Sequence, residues 1–164
     1  MIWTRSLGAP AFKKENFHLK TLGYTFHIGM FVTILFLAGH VEWFRGLLGF
    51  GWPALPDLLV YAIGYGTVAI LLIMLFRRVT HPVLKMLSNF DDYFSWLVTV
   101  LPLASGLAIP LVAEGSRDTV IALHALSVAL LLIWLPFGKL AHAYLIFLSR
   151  GTTGAVLERR GART

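Results

Sequence analysis

The sequence predicts an all-α integral membrane protein, a four-helix transmembrane bundle, and three observations lead to it. Hydrophobic residues fill 57% of the 164 positions and charged residues only 13%, with a mean hydropathy of +0.75. A soluble domain carries about 25% charged residues. The apolar residues also fall in four long blocks, each near the roughly 20 residues a helix needs to cross a bilayer core. The blocks run continuously, without the alternation that barrel strands require. Finally, the chain has no cysteine, which excludes disulfides, thiolate zinc, iron–sulfur ligation and covalently attached haem. A net charge of +6 at so low a charge density does not describe a nucleic-acid binder. The length fits one domain, residues 1–164.

Residues 1–20 hold Arg5, Lys13, Lys14 and Lys20 and lack the apolar core of a cleaved signal, so they read as a basic arm at the headgroups. The first span is expected at about 22–41. Trp52-Pro53-Ala54-Leu55-Pro56 cannot continue a helix and makes a short, stiff loop. Trp43 and Trp52 suit a membrane interface. The second span follows at about 58–76. Asn89, Asp91 or Asp92 caps the third, at about 93–113. The last is expected at about 119–148, kinked by Pro136. Arg77, Arg78 and Lys85 lie in the loop between spans two and three, and Arg150, Arg159, Arg160 and Arg163 in the tail. The other two loops are poor in positive charge. Lysine and arginine collect on the cytoplasmic side of membrane proteins, so a multi-pass protein of the inner (cytoplasmic) membrane with both termini in the cytoplasm is expected.

Four of the six histidines lie inside spans: His27 and His40 in the first, His124 and His142 in the last. Ionisable groups in hydrocarbon are costly and point to function. Spans one and four are antiparallel, so the four residues form two pairs at two depths, His40 with His124 and His27 with His142. Facing imidazoles on neighbouring helices supply both axial ligands of a b-type haem. Along ideal helices His27 and His40 are about 20 Å apart and His124 and His142 about 27 Å, room for one macrocycle per leaflet. The 18-residue step of the last span is five whole turns, which keeps its histidines on one face. The 13-residue step of the first turns His40 about 140° from His27, so a local bend or bulge must absorb the difference. Gly23, Gly29, Gly39, Ala125, Ser127, Ala129, Gly138 and Ala141 are small neighbours that suit a flat ring, and small residues also suit helix packing. His18 and His81 read as solvated.

The stretch from His124-Ala-Leu-Ser to Trp134-Leu-Pro-Phe-Gly-Lys-Leu-Ala-His142 resembles the last helix of the respiratory nitrate reductase gamma subunit family. Phe26-His27-Ile28-Gly29 and Gly39-His40 resemble its first haem-binding helix, and Arg77-Arg78, Pro82 and Asp92 the loop between its middle helices. The resemblance spans about residues 22–150 and extends to membrane cytochromes of sulfite-reduction-associated complexes and heterodisulfide reductases. It implies a dihaem cytochrome b subunit of an oxidoreductase complex, exchanging electrons between membrane quinone and a peripheral redox subunit with iron–sulfur or other metal centres on the cytoplasmic face. His40 and His124 would then hold the outer haem and His27 and His142 the inner one. No residue here is a stand-alone catalytic group.

Three departures stand beside the resemblance. The family has an additional N-terminal helix, its first histidine step is three residues shorter, and its quinol-handling lysine has no counterpart after Leu55-Pro56. Lys139, on the His142 face, reads either as a contact to an inner haem propionate or as a residue reaching the headgroups. Glu42, Arg45 and Asp57 gather near the outer pair as candidates for a quinone site. The rival readings are a membrane anchor whose histidines only pack, and a proton or metal transporter without haem. The transporter predicts further acids inside spans two and three.

Overall fold

A computed structural model describes residues 17–159 of the chain. The first sixteen residues of the basic arm and Arg160 and Arg163 of the tail lie outside the described residues, so their expected placement is not tested. Among the described residues there is no strand. The helices are α1 (Phe17–Phe36), α2 (Ala38–Leu48), α3 (Asp57–Thr80), α4 (Pro82–Leu87), α5 (Phe90–Ala108), α6 (Glu114–Trp134) and α7 (His142–Arg159). Three are long and apolar enough to cross a membrane: α3, α5 with its terminal 3-10 turn, and α6. A fourth crossing exists where α1 and α2 act as one span bent by 62°. The architecture is therefore an all-helical one with three or four candidate spans.

Successive spans are neighbours, α1 on α3, α3 on α5 and α5 on α6. Phe26, Leu71, Val100 and Leu103 form the buried centre, and Met30, Val68, Ile70 and Trp96 pack against it. In lipid the apolar effect does not separate helix from helix, so close van der Waals contact has to hold them. Two glycines provide it. A Cβ on Gly29 of α1 would collide with Oγ1 of Thr67 on α3, and one on Gly64 of α3 would lie 2.9 Å from Leu107 Cδ2 on α5. Gly29 thus serves a helix interface, whereas Gly23 and Gly39 have open space around the Cβ position. Hydroxyls in the spans are satisfied locally, since an unpaired polar group in hydrocarbon costs several kcal/mol. Thr33, Thr67 and Thr99 donate to the carbonyls of Gly29, Ile63 and Ser95 at 2.9, 2.8 and 2.7 Å. Between helices, Trp96 Nε1 donates to Leu71 O at 2.9 Å and Tyr65 Oη to Leu107 O at 3.2 Å.

The first span, expected to be continuous, breaks at Leu37, which is extended (φ −67°, ψ 132°). No proline marks the place. The last four carbonyls of a helix have no partner within it, and groups brought by the fold answer three of them. His40 Nδ1 donates to Thr33 O at 3.0 Å, Trp52 Nε1 to Leu35 O at 2.6 Å, and Leu55 N to Phe36 O at 3.0 Å. On the other side of the break Ala38 N donates to Asp57 Oδ1 at 3.4 Å. The stiff 49–56 loop therefore caps the α1 side of the break, and Asp57 at the start of α3 caps the α2 side.

The last block differs more. It was expected as one kinked helix to residue 148; instead α6 ends at Trp134, and a turn with a short 3-10 segment, Lys139–Ala141, leads to α7. Pro136 has no N–H to donate and its ring crowds the preceding turn, which ends a helix where neighbours do not restore it. His124 and His142 accordingly do not share the face of one straight helix.

Candidate functional site: two histidine pairs

Both histidine pairs drawn from the topology are present. The rings of His40 and His124 have centroids 6.0 Å apart and planes 19° apart, close to parallel. Those of His27 and His142 are also 6.0 Å apart, with planes at 76°. The 62° bend and the interruption at Pro136 bring about what straight helices would not, because each swings one histidine back toward its partner. The angular mismatch of the 13-residue step is absorbed at Leu37.

The same hydrogen-bond arrangement recurs at all four rings. Nδ1 of His27 faces Gly23 O at 2.6 Å, of His40 Thr33 O at 3.0 Å, of His124 Pro102 O at 3.0 Å, and of His142 Lys139 O at 2.7 Å. A carbonyl oxygen only accepts, so in each neutral ring Nδ1 carries the proton and Nε2 keeps its lone pair. That tautomer, oriented by a second-shell acceptor, is the one that binds a metal through Nε2. Ser105 Oγ lies 3.2 Å from both His124 Nδ1 and Ser127 Oγ, adding a polar flank to the first pair.

The separation fits a particular occupant. A metal–nitrogen bond of about 2 Å on each side, with about 1 Å from each nitrogen to its ring centre, places two axial imidazole centroids about 6 Å apart. Directly packed helices lie roughly 8–10 Å axis to axis. Among the described residues α1 packs on α3 and α6 on α5, while the histidine pairs link α2 with α6 and α1 with α7. No described residue of α6 is buried. Among the described residues no group of three or more His, Cys, Asp or Glu side chains gathers as a metal-ion site; the histidines meet in twos.

Gly106 on α5 backs the first pair: a Cβ there would lie 3.1 Å from His124 Cε1 and 3.3 Å from Nδ1. Gly106→Val is therefore expected to push the His124 ring off Pro102 O and disturb the His40–His124 pair while sparing the other. The absorption spectrum and metal content of the purified variant check it; a spectrum equal to wild type counts against the contact.

The remaining expected site residues are placed as follows. Lys139 ends in an ion pair with Asp92, and Asp92 also holds Arg78 Nη1 at 2.8 Å. Glu42 and Arg45, one turn apart on α2, pair with each other at 2.7 Å and are exposed. Asp57, at the start of α3, serves the start of α2. Of the three candidate caps of α5, Asn89 is the N-cap: Asp92 N donates to Asn89 Oδ1 at 3.4 Å and Asn89 N to Asp92 Oδ2 at 3.0 Å, a reciprocal capping box. Asp91 does not cap α5. Both of its oxygens accept the Lys139 backbone N–H, at 3.2 and 3.0 Å. Trp52, Pro102 and Asp91 are the positioning groups that sequence reasoning missed. The Pro-Phe-Gly run at 136–138 is the one signal that foretells a break for Asp91 to cap.

No family model and no solved structure matches the chain. The chain is similar to a protein of Nitratidesulfovibrio vulgaris (strain Hildenborough), 31% identical over 162 residues, which are 98% of this chain and 71% of that relative. With most of both chains covered at that identity, the chain belongs to the family of this Nitratidesulfovibrio vulgaris protein.

Proposed function

We propose that the chain is the membrane cytochrome b subunit of a respiratory oxidoreductase complex, with two bis-histidine haem b groups held by His40 and His124 and by His27 and His142. The observation that carries this reading is the repeated pair geometry: two 6.0 Å imidazole pairs, all four rings fixed as the metal-binding tautomer by backbone carbonyls. Packing histidines have no reason to share one separation and one tautomer at two levels of a bundle. The similarity of the histidine-bearing stretches to the nitrate reductase gamma subunit family supports the same function. With both axial positions filled, a haem b supplies one-electron transfer and no oxygen binding.

The residues of this chain divide the remaining work. The carbonyls of Gly23, Thr33, Pro102 and Lys139 raise the basicity of the rings and fix their planes. Core residues such as Phe26 and Leu103 exclude water from the bundle interior. The positive-inside bias of the sequence supports an orientation with the His40–His124 pair toward the outside and both termini on the cytoplasmic side of an inner membrane. Glu42 and Asp57 are the carboxylates that would exchange protons with a quinone at the outer end, with Arg45 paired to Glu42. Lys139, whose ammonium pairs with Asp92, is the residue that would contact a propionate of the inner haem. The inner end, with Arg77, Arg78 and Lys85, faces a peripheral redox subunit carrying iron–sulfur or other metal centres. Electrons then move between quinone and that partner through this chain.

The test is the reduced-minus-oxidised spectrum of the purified membrane protein with its haem content. The expected result is a b-type alpha band and about two haems per chain. A colourless preparation that takes up no haem on reconstitution overturns the proposal, and leaves the anchor and transporter readings.

A further inference from the structure

The 135–141 linker is held at one point from two sides. Asp91 grips the Lys139 N–H through both carboxylate oxygens, at 3.2 and 3.0 Å. The same carboxylate accepts Ser95 Oγ at 2.8 Å, and Ser95 Oγ accepts Trp134 Nε1 at 3.0 Å, so the end of α6 is tied into the same cluster. A Cβ on Gly138 would lie 2.7 Å from Asp91 Oδ1 and closer still to Trp134 Nε1, so a larger residue before Lys139 would displace these side chains. On its other side Lys139 offers its carbonyl to His142 Nδ1 at 2.7 Å. One peptide residue thus receives the carboxylate through its N–H and orients the imidazole through its C=O.

We propose that Asp91 is a positioning residue that sets the plane of the His142 ring, through Lys139, and so makes the two haem sites electronically unlike. The inference rests on the haem reading of the pairs and adds a difference between them. His27 takes its orientation from Gly23 within its own helix, so the 76° angle to His142 depends on where the linker holds Lys139. The outer pair, at 19°, takes its orientation from Thr33 and Pro102 and shares none of these groups. Nearly parallel axial planes split the two iron orbitals that interact with the imidazole π systems, whereas nearly perpendicular planes leave them close in energy. The ferric low-spin signal of the inner site is therefore the more anisotropic, with its first resonance at lower field. The Asp91 charge also polarises the Lys139 peptide, which strengthens the bond to Nδ1 and makes His142 the more basic ligand.

The experiment is electron paramagnetic resonance with a redox titration on the oxidised, purified protein, wild type beside Asp91→Ala and Asp91→Asn. Wild type is expected to show two low-spin signals, one clearly at lower field than the other. In Asp91→Ala the low-field signal moves toward the ordinary position and its midpoint rises, while the second signal and its midpoint stay put. Asp91→Asn, which keeps an acceptor for Lys139 N–H, moves the same signal less. The unmoved outer signal reports that the variant is folded. Should Asp91→Ala not accumulate, Asp91→Asn carries the test, and an inner signal identical to wild type there overturns the proposal. Two equivalent signals in wild type, or equal shifts of both signals in the variants, overturn it too. A wild type without haem sinks the reading beneath it instead, before any variant is compared.

Discussion

On the proposed haem reading, His124→Ala is expected to remove one haem and leave the other, halving the haem content to about one per chain. His124 and His40 face each other at 6.0 Å with planes 19° apart, and the change would leave the proposed outer haem with His40 as its one remaining histidine. The inner ligands are untouched: His27 is oriented within α1 and His142 by Lys139 beyond the break at Pro136. The fold should tolerate the change. His124 is only half-buried and its one direct backbone bond, to Pro102 O, is to a carbonyl in a helix interior, so the loss costs about 1 kcal/mol. Haem quantitation and the reduced spectrum check this, with His142→Ala as the converse that removes the inner haem. If His124→Ala loses neither haem, or both while remaining folded, the pairing is wrong.

Asp92→Ala is the substitution expected to destabilise the chain most among those outside the histidine pairs, by about 2–3 kcal/mol. Asp92 is buried at 9% exposure and joins three elements. It closes the capping box with Asn89 at the start of α5, holds Arg78 at the end of α3 and holds Lys139 in the linker. Loss of a cap costs about 1 kcal/mol. The two charge-assisted bonds contribute about 1 kcal/mol each, less than a buried pair would, because the Arg78 and Lys139 side chains are 37% and 50% exposed and regain water. Thermal unfolding in detergent measures the effect, and Asp92→Asn should cost roughly half as much. A midpoint equal to wild type for Asp92→Ala would remove Asp92 from its place at the junction.

Helix content, the number of apolar blocks and the pairing of the histidines were all legible in the sequence. Hydropathy is a sum over neighbouring residues, and antiparallel succession follows from short loops, so neither needs long-range information. The capping residue of α5 was legible in kind: three candidates were open, and Asn89 took the position because its carbonyl side chain meets the N–H of Asp92 three residues on. Roles for Asp57 and Lys139 were sought in ligand chemistry, and each was found bonded first to this chain's own groups, the start of α2 and Asp92. Charged side chains at the ends of spans satisfy the nearest orphaned backbone and opposite charge before anything else. Trp52 was assigned to the interface for its indole, and its Nε1–H also answers Leu35 O.

The amino-acid order alone determined that this chain is helical, apolar in four blocks and equipped with four histidines at matched depths in the outermost blocks. Those properties belong to individual residues and their immediate neighbours. Only the tertiary structure decided where the first and last blocks break and how each imidazole is turned. The break at Leu37 is stable because Trp52, Leu55, His40 and Asp57, up to twenty residues away, replace the helix bonds that are lost. A helix of apolar residues carries no local reason to stop there, so the bend that aligns His40 with His124 arises from groups that meet only after folding.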